Sequence, residues 1–84
     1  MRVVISSPRR VLLKEQMYEV VLPILDGEIS VLDDHQPFVG RLGKGFIRLR
    51  SADGNERRVI VDDGVVRMLD NELVIMLEAQ SGTA

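Results

Sequence analysis

The sequence predicts an all-β domain of about eight to ten short strands, and three observations carry that prediction. Valine, isoleucine and leucine number 12, 6 and 10 among the 84 residues, and the β-branched pair dominates. Their stiffness at χ1 suits pleated strands better than helices. Turn-forming residues recur roughly every eight to twelve positions, the spacing of a sandwich or barrel. No stretch sustains the helical period of about 3.6 residues.

Residues 2–5 form a first strand, stopped by Ser6-Ser7-Pro8, and residues 11–13 a short second one. Residues 17–24 alternate imperfectly, with Tyr18, Val20 and Leu22 on one face and Met17, Glu19 and Val21 on the other. Pro23 has no N–H for a ladder, so that end lies at an edge or at an exit from the sheet. Asp26-Gly27 is a turn, after which residues 29–32 resume the extended pattern. Asp33-Asp34-His35-Gln36-Pro37 is a polar break. Residues 44–50 then alternate strictly, Ile47 and Leu49 facing inward and Phe46, Arg48 and Arg50 facing water. Asp53-Gly54 marks a hairpin, and residues 57–62 return as its second arm. Residues 65–69 follow Asp62-Asp63-Gly64, and residues 73–77 follow Asp70-Asn71. From Lys44 onward the expected arrangement is a meander of consecutive antiparallel strands, ending in a fraying tail at residues 80–84.

At 9.4 kDa the chain has room for one domain, residues 1–84, and a chain of this size buries only about 60% of its extended surface. There is no cysteine, which removes disulfides, thiolate zinc sites and cysteine nucleophiles together and fits a reducing compartment. Arg2 is followed by only three apolar residues before Ser6, so no secretory leader is visible. The expectation is a soluble domain. A net charge of -2 with 4% aromatic residues gives no overall case for nucleic acid.

Catalytic chemistry has few candidates. His35 is the one histidine, and Asp33 and Asp34 precede it. Adjacent residues of an extended segment point to opposite sides, so the three make a poor metal site and a good solvated turn. Ser30, His35 and an aspartate could formally compose a triad, but no strand-turn-helix elbow surrounds any serine. Gly40, Gly43 and Gly45 precede no helix and read as bends between two sheets rather than a phosphate loop. Arg9, Arg10, Arg41, Lys44, Arg48, Arg50, Arg57 and Arg58 would attract a polyanion if they shared a face. Asp53, Glu56, Asp62 and Asp63 are interspersed among them, which favours a solvated strand face. Pattern alone thus reaches a small β-domain that binds or assembles, with no cofactor and no metal.

The run from Val20 to Val39 adds a resemblance. Gly27-Glu28, Val31-Leu32 and His35-Gln36-Pro37 keep the order and spacing of the N-terminal domain of the epsilon subunit of F-type ATP synthases. Leu42-x-x-Gly45-x-Ile47-Arg48, Asp53-Gly54, Asp63-Gly64-Val65-Val66-Arg67 and the segment from Asn71 to Leu77 resemble later steps of that family. The similarity covers essentially the whole chain in one register. Three family glycines or proline-glycines are replaced here, by Ser30, Asp33-Asp34 and Asp63, so those turns call for aspartates in left-handed or Asx-turn conformations.

The resemblance implies a flattened β-sandwich of two mainly antiparallel sheets that performs no bond chemistry. It implies a rotor subunit of the central stalk that couples the gamma subunit to the membrane rotor ring during ion-driven ATP synthesis. Its place would be peripheral, on the cytoplasmic face of a bacterial inner membrane. Glu28 and His35 match family positions in the loops that face the ring, and Asp33 and Asp34 would make that end more acidic. The gamma-facing candidates are Val65, Val66, Met68 and Leu69, with Met17 and Met76 as further ones, although methionine and valine at strand spacing more often belong to a core. Family members continue into a two-helix C-terminal domain, which would begin where Ala84 stands. The alternative is an unrelated small β-domain that binds a ligand or peptide.

Overall fold

The computed structural model describes residues 1–78, and the tail expected at 80–84 lies outside them. Nine strands follow in order: β1 (Arg2–Ser6), β2 (Val11–Gln16), β3 (Glu19–Ile24), β4 (Gly27–Leu32), β5 (Phe38–Leu42), β6 (Gly45–Arg50), β7 (Glu56–Val61), β8 (Gly64–Leu69) and β9 (Glu72–Leu77). They pair in the order β2-β1-β9-β8-β5-β3-β6-β7, with β4 on the other side of β3. All pairings are antiparallel except that of β1 with β9.

The path folds over at one joint, where β3 and β5 meet only through Ile24 and Leu42. That joint separates a five-stranded layer, β2-β1-β9-β8-β5, from a four-stranded one, β4-β3-β6-β7. Ile5, Leu73 and Ile75 from the first and Leu22, Ile47 and Leu49 from the second enter one apolar core, as in a two-sheet sandwich. Among the described residues no polar or charged side chain is buried. Pro23 sits where the sequence needs it. β3 pairs with β6 through residues 19–21 and with β5 only at Ile24. The proline thus falls in the gap where no neighbour requires its missing N–H, and its carbonyl accepts from Gly43 N–H at 2.9 Å.

Four expectations change. β5 reads from the sequence as a break and bends, because Pro37, Gly40 and Gly43 erase the alternation, yet residues 38–42 pair fully with β8. The meander is interrupted: β6 pairs β7 and β8 pairs β9, but after Val61 the chain crosses layers and β8 lies against β5. The segment before β3 is not strand. Met17 N–H donates to Met1 O at 2.9 Å and Tyr18 N–H to Arg50 O at 2.7 Å. This bend turns Met17 into the core and leaves Tyr18 outside. Val66 and Met68, offered as surface candidates, are each 1% exposed, because the alternation of β8 puts its even-numbered residues inside.

Candidate functional site

The residues that chemistry would need do not converge. Ser30 Oγ donates to Glu19 Oε2 at 2.7 Å, while His35 Nδ1 lies 2.9 Å from Gln36 O and its ring stands edge-on to Phe38 at 5.2 Å. Among the described residues no group of three His, Cys, Asp or Glu is placed to hold a metal ion. The arginines form no basic face either. Arg48 pairs with Glu28 at 3.3 Å, Arg50 with Glu19 at 2.6 Å and Lys44 with Asp62 at 3.8 Å. Arg57 is held by Glu15, and Arg58 lies over the Phe46 ring at 5.0 Å. Such exposed pairs contribute little stability, about 0–1 kcal/mol each, but they cancel the field a polyanion would need.

What the fold offers is two ends and an outer face. At the first end the register brings together the β3–β4 turn, the β5–β6 turn, the β7–β8 crossing and the β1–β2 turn. Ile24 pairs with Gly27 and Leu42, Gly45 with Val61, Leu42 with Gly64, Gly64 with Leu77 and Ser6 with Met76. Glu28, paired with Pro23 near the start of β4, belongs to this end, as do Leu25, Asp26, Lys44 and Arg41. Arg41 Nη2 reaches Asp63 Oδ2 at 3.1 Å, and this hydrogen bond holds the Asp63 carboxyl below its ordinary pKa. A depressed folded-state pKa stabilises the fold above the unfolded value and ceases to do so as pH falls through the folded one. Asp63→Asn is therefore expected to be less stable than the parent at neutral pH, with the difference closing in acid, as melting curves across pH would read.

Asp33, Asp34 and His35 occupy the opposite end. β4 separates them from Glu28, five residues of extended chain or roughly 17 Å. The four residues expected to share one acidic, ring-facing end are thus split in two. Asp33 accepts from the Met1 amino group, which also donates to Met17 O at 3.0 Å. Asp34 adopts a left-handed conformation, φ 61°, as its place at a family glycine demands. Its N–H donates to Asn71 Oδ1 at 2.8 Å. Asp70 and Asn71 are also left-handed, φ 53° and 57°, the geometry of a two-residue turn matched to strand twist. Asp63 and Ser30, by contrast, need no left-handed backbone.

The outer face belongs to the five-stranded layer. Paired residues of a ladder share a face, so the register writes rows across it. One runs Val39, Arg67, Val74, Val4 and Lys14, the next Arg41, Val65, Met76, Ser6 and Val11. Val65 is 39% and Leu69 45% exposed, and Val39 reaches 79%. Val4, Val39 and Val74 were missed in the sequence. The signal for Val4 and Val74 is that β1 and β9 carry apolar residues on both faces, which an ordinary solvated strand does not.

Comparison with known proteins agrees with this architecture. Residues 1–81 match the family described as "ATP synthase, Delta/Epsilon chain, beta-sandwich domain". The ATP synthase epsilon chain of Rhodopirellula baltica is 36% identical over 75 residues, covering 89% of this chain and 58% of that protein. The Rhizobium johnstonii epsilon chain is 33% identical over 73 residues, 87% of this chain and 54% of the relative. This chain therefore spans little more than half the length of the curated relatives it matches. Among solved structures, a chain of the Euglena gracilis mitochondrial ATP synthase, OSCP/F1/c-ring, superposes with a TM-score of 0.89 at 17% identity, covering 96% of this chain and 51% of that one. A chain of the Tetrahymena thermophila mitochondrial ATP synthase central stalk and c-ring gives 0.77 at 14% identity, with 93% and 63% covered. At those identities the likeness is one of fold.

Proposed function

The chain belongs to the beta-sandwich family of ATP synthase Delta/Epsilon chains, and from that premise we propose that it is a non-catalytic central-stalk subunit. In this reading it joins the gamma subunit to the membrane rotor ring of an F-type ATP synthase, on the cytoplasmic face of a bacterial inner membrane. Its partners are those two bodies, with no nucleic acid and no small-molecule substrate. The observation that supports the reading best is the separation of a polar end from an apolar outer face on one densely packed core. A part that turns two bodies together needs two differently oriented contacts and a body that does not deform between them.

The end that carries Glu28 is assigned to the ring. Glu28 already pairs with Arg48 in an exposed, solvent-screened contact, so a basic or amide group on the ring loops competes with a weak partner. Asp33, Asp34 and His35 fall outside that contact, since they stand at the other end. The exposed Val65 and Leu69 belong to the gamma-facing surface, while Val66 and Met68 serve the core. Reversal of Glu28 to arginine is expected to weaken retention on membranes carrying the rotor sector about tenfold. The double reversal Asp33→Lys, Asp34→Lys should leave it within about twofold, by co-sedimentation of folded variants. Equal losses in the two variants, or a loss only in the second, would reverse this assignment.

A further inference from the structure

The rows across the five-stranded layer carry more than an apolar surface. On that face Glu72 is held by Arg2 at 3.3 Å and Asp63 by Arg41 at 3.1 Å, and Glu78 adds its attraction to Arg41. Arg67 and Lys14 are different. Both are exposed, and among the described residues neither is in an ion pair. Arg67 stands between Val39 and Val74, and Lys14 closes the same row beyond Val4. The charge that the face leaves uncompensated is therefore positive, and it lies in line with the valines rather than around them.

We infer that this face takes a protein surface of matching pattern, apolar at its centre with a carboxylate opposite Arg67 and a second one opposite Lys14. A purely apolar occupant would strand the Arg67 guanidinium away from water, an outcome that costs more than the contact returns. A carboxylate on the occupant satisfies it with a charge-assisted, often two-pronged hydrogen bond. Arg67 and Lys14 stand three strand spacings apart, about 14 Å, which sets the separation of the two acidic positions on the partner at a similar distance. The occupant is the gamma subunit, and in that respect the inference rests on the function proposed above. The pattern specifies which part of gamma is met: an apolar strip with acidic ends.

The test is the affinity of the chain for gamma from the same source, by calorimetry at low and high salt. The parent is expected to bind, and more weakly as salt rises from about 0.05 to about 0.5 M. Arg67→Glu is expected to weaken binding about a hundredfold and Arg67→Gln about tenfold, with most of the salt dependence gone in the second. Arg58→Glu, on the other layer, should stay within about twofold of the parent. Thermal melts confirm that each variant is folded, and the glutamine variant answers if the glutamate one is not. Tight parent binding that neither Arg67 variant disturbs overturns the charge pairing while leaving the stalk role intact. No binding of the folded parent overturns both. Binding of the parent to anionic lipid vesicles in preference to gamma would replace the protein occupant with a membrane surface.

Discussion

Replacing Ile75 by alanine is expected to lower the unfolding free energy by about 3–4 kcal/mol. Ile75 lies on β9, between β1 and β8, and is fully buried. Its ladder partners Ile5 and Val66 are 0% and 1% exposed, so no neighbour has room to swing into the space vacated. A chain of this length holds only about 4–13 kcal/mol in total, and the loss translates into a fall in Tm of roughly 15–25 °C. Alanine at Met76, the next residue but on the outer face, should cost less than about 1 kcal/mol. Urea and thermal unfolding of the two variants side by side measure the contrast, and equal losses would mean that the assignment of inner and outer faces in β9 is wrong.

Gly64→Ala is expected to be comparably severe for a different reason. Gly64 opens β8 at the layer crossing, and a Cβ there would lie 2.7 Å from Met76 O and 3.3 Å from Leu77 Cα. Both are backbone atoms of the adjoining strand, so no side chain can swing aside. β8 and β9 would have to part where Gly64 pairs with Leu77, at a cost of about 2–3 kcal/mol. Gly40 provides the control. A Cβ at that position would meet Val66 Cγ1 at 3.5 Å, an ordinary contact, and the gain in unfolded-state order offsets it, leaving Gly40→Ala within about 1 kcal/mol of the parent. A Gly64→Ala variant as stable as Gly40→Ala would contradict the close approach.

The pairing of Gly64 also explains why the sequence misleads at that point. Asp62-Asp63-Gly64 has the composition of a tight hairpin, and turn composition is a local signal. Whether the chain doubles back or crosses to another layer depends on what accepts the next strand. Here β5 accepts it, a strand that itself lacks a pattern because Gly40 and two flanking interruptions dilute its alternation. Where one face is apolar and the other charged, as in β6, the sequence displays both strand and orientation, and Ile47 and Leu49 are inside with Arg48 and Arg50 outside. β8 has apolar residues on both faces. Its period is legible, but its phase is not, which is why Val65 and Leu69 could not be told from Val66 and Met68.

The candidate site was legible in a different way. Glu28 and His35 are recognised by short motifs, and motifs say nothing about direction. Glu28 stands near the start of a six-residue strand and His35 beyond its end, and a strand that leaves one end of a sandwich arrives at the other. That inference was available from spacing alone. The outer face needed the register: Val4, Val39 and Val74 are far apart in sequence, and only cross-strand pairing places them in one row with Arg67 and Lys14.

The most direct test of the coupling role is co-expression of this chain with the gamma subunit from the same source, followed by size exclusion and mass determination. A stable one-to-one complex that leaves the end bearing Glu28 free for the rotor ring is expected. Two folded proteins that elute separately would contradict it and leave the shared sandwich as a likeness of fold alone.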